Sequence, residues 1–430
     1  MHPLVRLPYA AAAALATLGA RLAPRDASGK ALRSLAARRG ILARYAAWAS
    51  HGRDMRRPLV WMHAPSVGEG LQARAVMPLL RARHPALQIA YTFYSPSAAT
   101  FAQALGADFT DYLPFDTAHG ARAALHALRP TALVFSKLDV WPVLVEEAAR
   151  RTVRLGMISA TMAEGSGRSG AFASMLLHDA YAALDAVGAV DASDADRLAT
   201  LGVRRDRIRV TGDTRYDQVW ARAAAADRHG ALLGPIAGAR PTLVAGSTWP
   251  ADEAALFEAW RTVRARIPSA RLIIAPHEPT ARAVRPIEAW AAEERLTTAR
   301  LGGDAQRTAD VVVVDKVGVL GDLYALADVA FVGGGFHAAG LHSVIEPAAF
   351  GAPVLFGPQH QKSRDAGLLI AEGGAFSCAD GRELGARLLA WLTERDARIA
   401  AGARARALVE RGVGAADRSA ALIDELLATS

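Results

Sequence analysis

Three consecutive glycines, residues 333–335, mark the part of this chain best equipped to hold a ligand. They follow the apolar stretch 329–332, which predicts a buried strand. Glycine lets the backbone adopt positive φ and approach a ligand closely. We expect a helix to begin near Ser343, with its free N–H groups and positive dipole end facing the glycine turn. The pattern therefore predicts an anion-binding site.

Glu346 would lie in the first turn of that helix, where its carboxylate could bind both hydroxyls of a ribose. Residues 352–356 then predict another buried strand. This succession of strand, glycine turn, Glu-Pro helix start and strand resembles the donor-nucleotide site of GT-B glycosyltransferases. The alternative is an ordinary strand-to-helix turn with a capping glutamate. The full run Glu-Pro-Ala-Ala-x-Gly-x-Pro-Val favours the nucleotide-sugar site.

The first half of the chain carries one carboxylate placed to act as a base. The predicted strand 59–62 runs into a turn of small residues, and a helix is predicted over 71–81. Glu69 would lie near the start of that helix and could deprotonate an acceptor hydroxyl. We assign the neighbouring Ser66 and Gly68 to substrate binding. The alternative role for Glu69 is that of a helix-capping acid.

The motif Trp61-x-His63-Ala64-x-Ser66-Val67-Gly68-Glu69 resembles a segment of the 3-deoxy-D-manno-octulosonic acid (Kdo) transferases. These GT-B enzymes move Kdo from CMP-Kdo onto a lipid A precursor at the inner membrane. Further segments similar to the family, in the same order, are Tyr112-Leu113-Pro114-Phe115-Asp116, Trp141-Pro142, residues 158–162, residues 210–217, residues 245–248 and residues 275–279. The resemblance implies that Glu69 is the catalytic base and that Glu346 belongs to the CMP site.

Two positions depart from the family pattern. Where the family has Glu-Thr-Glu before Leu-Trp-Pro, this chain has Lys137-Leu138-Asp139-Val140, so Lys137 reverses the first acid and Asp139 keeps the second. Ser343 replaces the usual asparagine before Glu346. We assign Lys137 and Asp139 to substrate binding, and both departures leave the exact sugar and acceptor open.

The remaining nucleotide-binding candidates follow predicted strands of the second half. Ser247 and Thr248 could donate to a phosphate, or could equally be a plain helix N-cap with Glu253 further on. His277 follows the strand 271–275, and an isolated His-Glu pair is too weak a pattern for a metal site. The full nucleotide set is Ser247, Thr248, His277, Gly333, Gly334, Gly335, His342, Ser343 and Glu346. We expect neither a metal nor a cofactor.

Bulk properties narrow the classes of protein. A chain of 430 residues suits two domains, and 52% hydrophobic with 21% charged residues excludes wholesale disorder. The net charge of +8 favours acidic partners. Because the arginines are scattered without interleaved aromatics, nucleic acid is not expected. The single cysteine excludes an intramolecular disulfide and fits a reducing cytosol.

The amino terminus is apolar and flanked by basic residues. The fourteen residues from Leu7 to Ala20 fall short of the roughly 20 needed to span a bilayer. We predict that residues 1–24 form an interfacial helix on an anionic membrane surface, the cytoplasmic face of the inner membrane. The alternatives are a soluble helix packed on the first domain and, less consistent with the basic residues that follow, a signal peptide.

Strand and helix candidates alternate in two blocks, which predicts an α/β protein with two doubly wound Rossmann-like domains of GT-B type facing an inter-domain cleft. The predicted domains are residues 25–218 for the acceptor, a linker at 219–241, and residues 242–430 for the nucleotide sugar. The predicted strands are 59–62, 89–93, 132–135, 154–158, 186–190, 242–245, 271–275, 311–314, 329–332 and 353–356.

The resemblance implies a metal-independent, inverting transfer of Kdo, or a related acidic sugar, from a CMP-activated donor to a lipid A precursor in lipopolysaccharide biosynthesis. One alternative is a GT-B-fold nucleotide-sugar epimerase, which would need no lipid acceptor. The other is a non-catalytic, membrane-associated sugar-nucleotide binder, suggested by Lys137 and Ser343.

Overall fold

The structure is a computed structural model that describes residues 1–24, 26, 29–162, 167–338 and 340–428. Its helices are α1 (Pro3–Leu22), α2 (Lys30–Ala37), α3 (Ile41–His51), α4 (Val67–Arg83), α5 (Ala99–Gln103), α6 (Ala118–Leu128), α7 (Pro142–Ala149), α8 (Ala171–Ala182), α9 (Ala192–Thr200), α10 (Arg215–Ala225), α11 (Pro250–Arg266), α12 (Ala281–Glu293), α13 (Leu320–Leu323), α14 (Ile345–Ala349), α15 (Arg364–Ala371), α16 (Gly381–Thr393), α17 (Arg395–Gly412) and α18 (Ala415–Ala428).

The strands form two sheets. They are β1 (Leu59–His63), β2 (Gln88–Phe93), β3 (Phe109–Tyr112), β4 (Ala132–Ser136), β5 (Arg154–Ala160), β6 (Ala186–Ala189), β7 (Ile208–Val210), β8 (Thr242–Thr248), β9 (Arg271–Pro276), β10 (Thr298–Arg300), β11 (Val311–Val313), β12 (Val329–Val332), β13 (Val354–Phe356) and β14 (Ala375–Ser377). Short 3₁₀ helices lie at Pro96–Ala98, Gly167–Ser169, Arg205–Arg207, Asp304–Arg307 and Tyr324–Leu326.

Each sheet is parallel and doubly wound. The first has the strand order β3-β2-β1-β4-β5-β6-β7, and the second has the order β10-β11-β9-β8-β12-β13-β14. The strand order reverses between β1 and β4 in the first sheet and between β8 and β12 in the second. Ligands of such sheets bind outside the carboxyl ends of the strands at this switch point. Glu69, Lys137, Ser247 and the glycines 333–335 lie at or just beyond the carboxyl ends of these four strands.

The central strands are buried on both faces, as expected for parallel sheets covered by helices. In the first sheet, Leu59 and Trp61 pack on one side with α3 and α6, whereas Val60 and Met62 pack on the other with α4 and α18. All ten predicted strands are present in the structure. The prediction of two doubly wound Rossmann-like domains is confirmed.

The four strands that the sequence did not predict are β3, β7, β10 and β14, and each lies at the edge of a sheet. Three of them have only three residues, and β10 carries the polar sequence Thr-Ala-Arg. Edge strands have one neighbour and stay partly exposed, so they lack the continuous apolar run by which buried strands are recognised.

The compact units of the chain differ from the predicted boundaries. The first unit comprises residues 1–218 and 414–430, and the second comprises residues 219–413. Helix α18, which we expected in the second domain, packs Leu422 and Ile423 into the core beside Val134. The Asp217 carboxylate accepts hydrogen bonds from the backbone N–H groups of Gly414 (2.7 Å) and Ala416 (2.9 Å). An amphipathic pattern shows which face of a helix is buried but not which sheet it covers.

The predicted linker, residues 219–241, belongs to the second unit. Helix α10 runs across residue 219, and Leu233 and Ile236 are buried in the core of the second unit. Gly and Pro in this stretch indicate turns, and these turns lie within a folded domain rather than between domains.

Helix α1 is longer than the apolar run that predicted it. Its 20 residues are long and apolar enough to cross a bilayer, which in the described part of the chain is true of α1 alone. The length argument against spanning therefore fails. One face of α1 packs on the rest of the first unit: the Tyr9 hydroxyl donates to Asp116 (2.7 Å), and Arg6 pairs with Glu146 (2.8 Å). The opposite face exposes five leucines, Leu4, Leu7, Leu15, Leu18 and Leu22, which we call the leucine stripe.

Candidate active site

The turn from β1 into α4 fixes Glu69. Ser66 is the N-cap residue of α4, and its hydroxyl donates to Glu69 Oε2 instead of capping a backbone N–H. Helix α4 begins at Val67, four residues earlier than predicted, so Glu69 lies in its first turn, where the positive end of the helix dipole favours a carboxylate. The Glu69 side chain is 21% exposed and is therefore accessible to a substrate.

Lys137 lies beside this carboxylate. Its Nζ is 3.6 Å from Glu69 Oε1, and the Lys137 side chain is 43% exposed. Lys137 follows β4 directly and has a φ of 68°, in the left-handed region that a side chain with a Cβ rarely occupies. Its backbone N–H still donates to Ile158 O (2.9 Å), so the β4–β5 ladder continues through the strained residue. The structure therefore joins Ser66, Glu69 and Lys137 in one cluster.

Asp139 has a different partner. Its carboxylate forms an ion pair with Arg168, which also donates to Leu138 O (3.0 Å). The two positions that we assigned together to substrate binding thus have separate ionic partners. For Asp139, substrate binding stays a prediction.

The tryptophan and histidine of the motif around residue 61 are structural. Trp61 Nε1 donates to the Thr92 hydroxyl (2.8 Å), which also lies 3.0 Å from His63 Nδ1. Trp141 Nε1 donates to His63 Nε2 (3.0 Å), so the proton of the neutral ring is on Nδ1. Burial and the nearby Arg38 charge lower the pKa of His63 to about 3. His63 is therefore neutral and already hydrogen-bonded at both nitrogens, which excludes it as the base.

Gly68 and Gly70 differ in how much space surrounds them. A Cβ on Gly68 would meet only Ser66 Oγ, at 3.8 Å, and Gly68 is exposed. A Cβ on Gly70 would lie 2.5 Å from the ring of Phe101 and 2.7 Å from the Tyr91 hydroxyl. Close packing requires Gly70, which the sequence analysis did not single out. Burial, together with the charge of Glu69, raises the pKa of Tyr91.

In the second unit, Asp252 holds the glycine turn. Its fully buried carboxylate accepts from the backbone N–H groups of Gly334 (2.7 Å), Phe336 (2.9 Å) and Trp249 (2.9 Å). These bonds connect the start of α11 to the loop after β12. Asp252 was not among the predicted site residues, because an acid in the first turn of a helix is common.

The three glycines are required by their own surroundings. All three are buried, and Gly334 alone among them has positive φ (93°). A Cβ would come within 2.3 Å of Ser247 O at Gly333, 2.1 Å of Gly340 O at Gly334 and 2.4 Å of Gly357 N at Gly335. The glycines thus let backbone segments pack together, and direct contact with a nucleotide stays a prediction.

The helix expected near Ser343 begins at Ile345 and has five residues. Ser343 lies outside it, and the short helix supplies a smaller dipole than the sequence pattern suggested. An anion site at this helix start stays a prediction.

A stack of aromatic rings lies beyond the carboxyl ends of β8, β9 and β12, beside these loops. The Trp249 indole stacks on His277 (4.5 Å between centroids) and on His337 (4.4 Å), and His277 stacks on His342 (4.6 Å). Trp249 Nε1 donates to His342 Nε2 (3.2 Å). Burial and His277 lower the pKa of His342 to about 4. The structure thus brings together the predicted His277 and His342 and adds Trp249 and His337.

Ser247 and Thr248 separate at the end of β8. Ser247 forms an irregularity in the β8–β9 pairing and has a φ of 55°. Thr248 is buried, and its hydroxyl donates to Glu253 Oε1 (2.9 Å). The N-cap of α11 is Trp249, so neither residue is the N-cap of this helix. Ser247 is the more accessible of the two for a ligand.

Glu346 lies in the first turn of α14 and is partly exposed. Burial raises the pKa of Tyr324, and the charge of Glu346 raises it further. The hydrogen bond to Asp322 raises the pKa of Arg222, and Glu346 makes a smaller contribution in the same direction. Arg222 pairs with Asp322 (2.8 Å). Glu346, the residue predicted to bind the ribose, therefore interacts electrostatically with an arginine and a tyrosine. The sequence motif indicated neither of them.

Comparison with known proteins tests the resemblance. Residues 15–218 match the family model for 3-deoxy-D-manno-octulosonic-acid transferase (kdotransferase). The resemblance to the Kdo transferase family is confirmed. It is 29% identical to the 3-deoxy-D-manno-octulosonic acid transferase of Bordetella pertussis, covering 86% of this chain and 87% of that protein. With the same enzyme of Haemophilus influenzae it shares 25% identity over 69% of this chain and 70% of the other.

Similar solved structures show the fold class of this chain. A UDP-GlcNAc 2-epimerase from Neisseria meningitidis bound to UDP-GlcNAc matches 86% of this chain and 100% of its own, with a TM-score of 0.62 and 12% identity. The UDP-GlcNAc 2-epimerase of Methanocaldococcus jannaschii matches 77% and 91%, with a TM-score of 0.54 and 11% identity. At such identities the likeness shows fold alone, and it confirms the GT-B class. The sequence relatives do not favour the epimerase alternative.

Proposed function

We propose that this chain transfers Kdo, or a related acidic sugar, from a CMP-activated donor to a lipid A precursor in lipopolysaccharide biosynthesis. The observation that carries the proposal is the Ser66–Glu69–Lys137 cluster at the switch point of the first sheet. The similarity to the Kdo transferases supports the same chemistry.

Glu69 is the general base of the proposed reaction. It takes the proton from the acceptor hydroxyl as the oxygen attacks the anomeric carbon, and the CMP phosphate leaves from the opposite face, so the configuration inverts. The Ser66 hydroxyl holds Oε2 of Glu69 and leaves Oε1 on the side of Lys137. The Lys137 ammonium offers an anionic group of the substrate, such as a sugar carboxylate, a charge-assisted contact beside the reacting hydroxyl.

The donor nucleotide binds to the second unit in this proposal. Glu346 binds the ribose hydroxyls, and the Trp249–His277–His342 rings offer flat faces at the ends of β8 and β9. Asp252 keeps the loop after β12 in one conformation, which limits the entropy that ordering the site on binding would cost. The predicted contacts of Ser247, Ser343 and the glycines belong to the same proposal.

The proposed location is the cytoplasmic face of the inner membrane, where a lipid acceptor would be found. The polar contacts of Tyr9 and Arg6 with the first unit support a helix α1 that lies on the bilayer with the leucine stripe facing the lipid. A helix held along one face in this way presents its opposite face to the membrane.

One incubation tests the proposal. Purified protein is mixed with CMP-Kdo and a lipid A precursor, and the lipid is analysed by mass spectrometry for the addition of one or more Kdo residues. Release of CMP together with a heavier lipid is the expected result. An unmodified lipid in the presence of intact donor would contradict the proposed transfer, and an epimerised UDP-sugar in a parallel reaction would support the epimerase alternative.

A further inference from the structure

A pocket of about 170 Å³ lies in the first unit, away from the Ser66–Glu69–Lys137 cluster in sequence. It is bounded by the last turns of α1, the start of α3 and the loop between β3 and α6. Thr17, Ala20, Ile41 and Phe115 supply apolar parts of its wall. Small-molecule sites commonly have volumes of about 300–1,000 Å³. The pocket therefore suits a fragment such as a lipid headgroup rather than a whole large ligand.

The polar lining of this pocket is cationic. Arg21, Arg38 and Arg39 contribute its positive charges, and its lining residues, all of which lie in the described part of the chain, include no aspartate or glutamate. Arg21 is exposed and forms no ion pair with any described residue. Arg39 donates through Nη2 to Ala23 O, whereas its Nε is shielded from solvent and lacks a hydrogen-bond partner among the described residues.

The start of α3 adds a second source of positive potential. The helix has 11 residues, its N-cap is Gly40 with a φ of 66°, and no side chain caps it. The first N–H groups of a helix attract anions where they lack acceptors. Ile41 and Leu42 both line the pocket, but the Ile41 N–H donates to Arg38 O (3.2 Å), so the Leu42 N–H is the one left for a ligand at this wall.

The leucine stripe runs beside the same pocket. Leu18 and Leu22 are 50% and 73% exposed, and they flank Arg21, which lines the pocket. A ligand that spans both features needs an anionic head and an apolar tail. Bilayer phospholipids have that composition, and basic residues next to an apolar helix face attract the anionic ones.

We propose that this pocket binds the phosphate of one anionic phospholipid of the bilayer, whose acyl chains lie along the leucine stripe. The bound lipid fixes the position of α1 and thereby the height of the first unit above the bilayer. This inference rests on the membrane association proposed above but not on the transfer reaction.

Calorimetry with the full chain tests the proposal. The probe is dihexanoyl phosphatidylglycerol kept below its micelle concentration, so that no charged surface is present. We expect saturable binding of one molecule per chain and weaker binding of dihexanoyl phosphatidylcholine. Arg39→Gln should lower the affinity for phosphatidylglycerol at least tenfold. Arg33→Gln is the matched control, because Arg33 is exposed on the neighbouring α2 and lies outside the pocket.

A second variant covers the possibility that Arg39→Gln loosens α1. Thr17→Leu places extra volume in the pocket without changing a charge, and it should also abolish saturable binding while the melting temperature is retained. Unsaturable binding, or equal loss in Arg33→Gln, would overturn the proposal. One-for-one displacement of phosphatidylglycerol by detergent-solubilised lipid A precursor would also overturn it, since the pocket would then belong to the acceptor. The measurement contains no donor, so failure of sugar transfer would leave its outcome unaffected.

Discussion

Lys137 holds its ammonium 3.6 Å from the carboxylate of Glu69 from a backbone in the left-handed region, with a φ of 68°. A residue with a Cβ loses roughly 1–2 kcal/mol in this conformation. Such strain persists where the surrounding structure enforces it, and it concentrates at functional sites. The presence of a lysine at position 137 is therefore better explained by where it places the ammonium than by the stability of the loop.

Replacement of Glu69 by glutamine should remove the base and preserve the fold. The amide keeps the acceptor oxygen for Ser66, so we expect an unchanged melting temperature and a turnover lowered by roughly 10²–10⁴-fold. CMP affinity should stay the same, because the predicted nucleotide residues belong to the other unit. Steady-state kinetics and calorimetry measure the two effects, and near-normal turnover would refute the assignment of the base.

Replacement of Lys137 by glycine should separate strain from function. Glycine accepts the left-handed backbone, so the free energy of unfolding should rise by about 1 kcal/mol while turnover falls. Arg129→Gly is the control, because Arg129 also has positive φ (40°) but ends α6. It should raise stability without loss of turnover, and equal activity in both variants would show that the Lys137 ammonium is dispensable.

Reversal of the charge at the same position should change substrate choice. Lys137→Glu replaces attraction of an anionic group by repulsion, which can alter relative preferences by several kcal/mol. A panel of CMP-activated acidic sugars and lipid acceptors should therefore be reordered rather than uniformly depressed. Uniform loss with a lower melting temperature would show that Lys137 is structural.

Loss of the Glu346 carboxylate should weaken nucleotide binding. If it binds the ribose through charge-assisted hydrogen bonds, Glu346→Ala should reduce the free energy of CMP binding by about 1.5–3 kcal/mol. Glu293→Ala, at an exposed position on α12, is the control and should bind CMP normally. Unchanged affinity in Glu346→Ala would place the nucleotide elsewhere.

Acid should destabilise the second unit through His342. The pKa of this residue is about 4 in the folded protein, against roughly 6.5 for a free histidine. The unfolded chain therefore binds more protons between these values, and the free energy of unfolding should decrease as the pH falls from about 6.5 to 4. NMR titration of the ring should give a midpoint near 4. In Trp249→Phe, which loses the indole N–H that stabilises neutral His342, the midpoint should move upward, and an unchanged midpoint would argue against the hydrogen bond.

The leucine stripe should determine membrane binding. Burial of one leucine contributes about 1.5–3 kcal/mol, so the triple variant Leu7→Gln, Leu15→Gln, Leu18→Gln should bind anionic vesicles at least about 100-fold more weakly. These leucines are exposed, so stability should be unaffected, whereas deletion of residues 1–24 would also remove the Tyr9 partner of Asp116. Ile399→Gln, at a 53% exposed isoleucine of α17, is the control. Full sedimentation of the triple variant with vesicles would require another anchor.

The sequence predicted the central strands of each sheet but not the edge strands. Strands such as β1 and β12 are buried on both faces, and their apolar runs are visible without a structure. Strand β10 is short and polar because it lies at a sheet edge. Helix α18 depends on partners far along the chain, which a local pattern does not contain. The same limit explains why residues 414–430 were assigned to the wrong unit.

Site candidates can be proposed from the sequence where chemistry requires a residue type near the end of a strand. Glu69 and His277 met that condition, and their roles stay predictions. Asp252 did not, since its importance comes from N–H groups of the loop after β12, more than 80 residues away. The contact between Lys137 and Glu69 depends on a positive φ, which the sequence does not indicate for a lysine.

The return of α18 to the first sheet has a consequence for the synthesis of the chain. Leu422, Ile423 and Leu426 cover apolar side chains of strands that leave the ribosome more than 250 residues earlier. Domains usually fold in order as they emerge. Here the nascent first sheet must keep that surface unfilled until translation ends, when the last helix closes it. A stop codon just before residue 414 would therefore damage the first unit, although it removes none of the residues between 1 and 218.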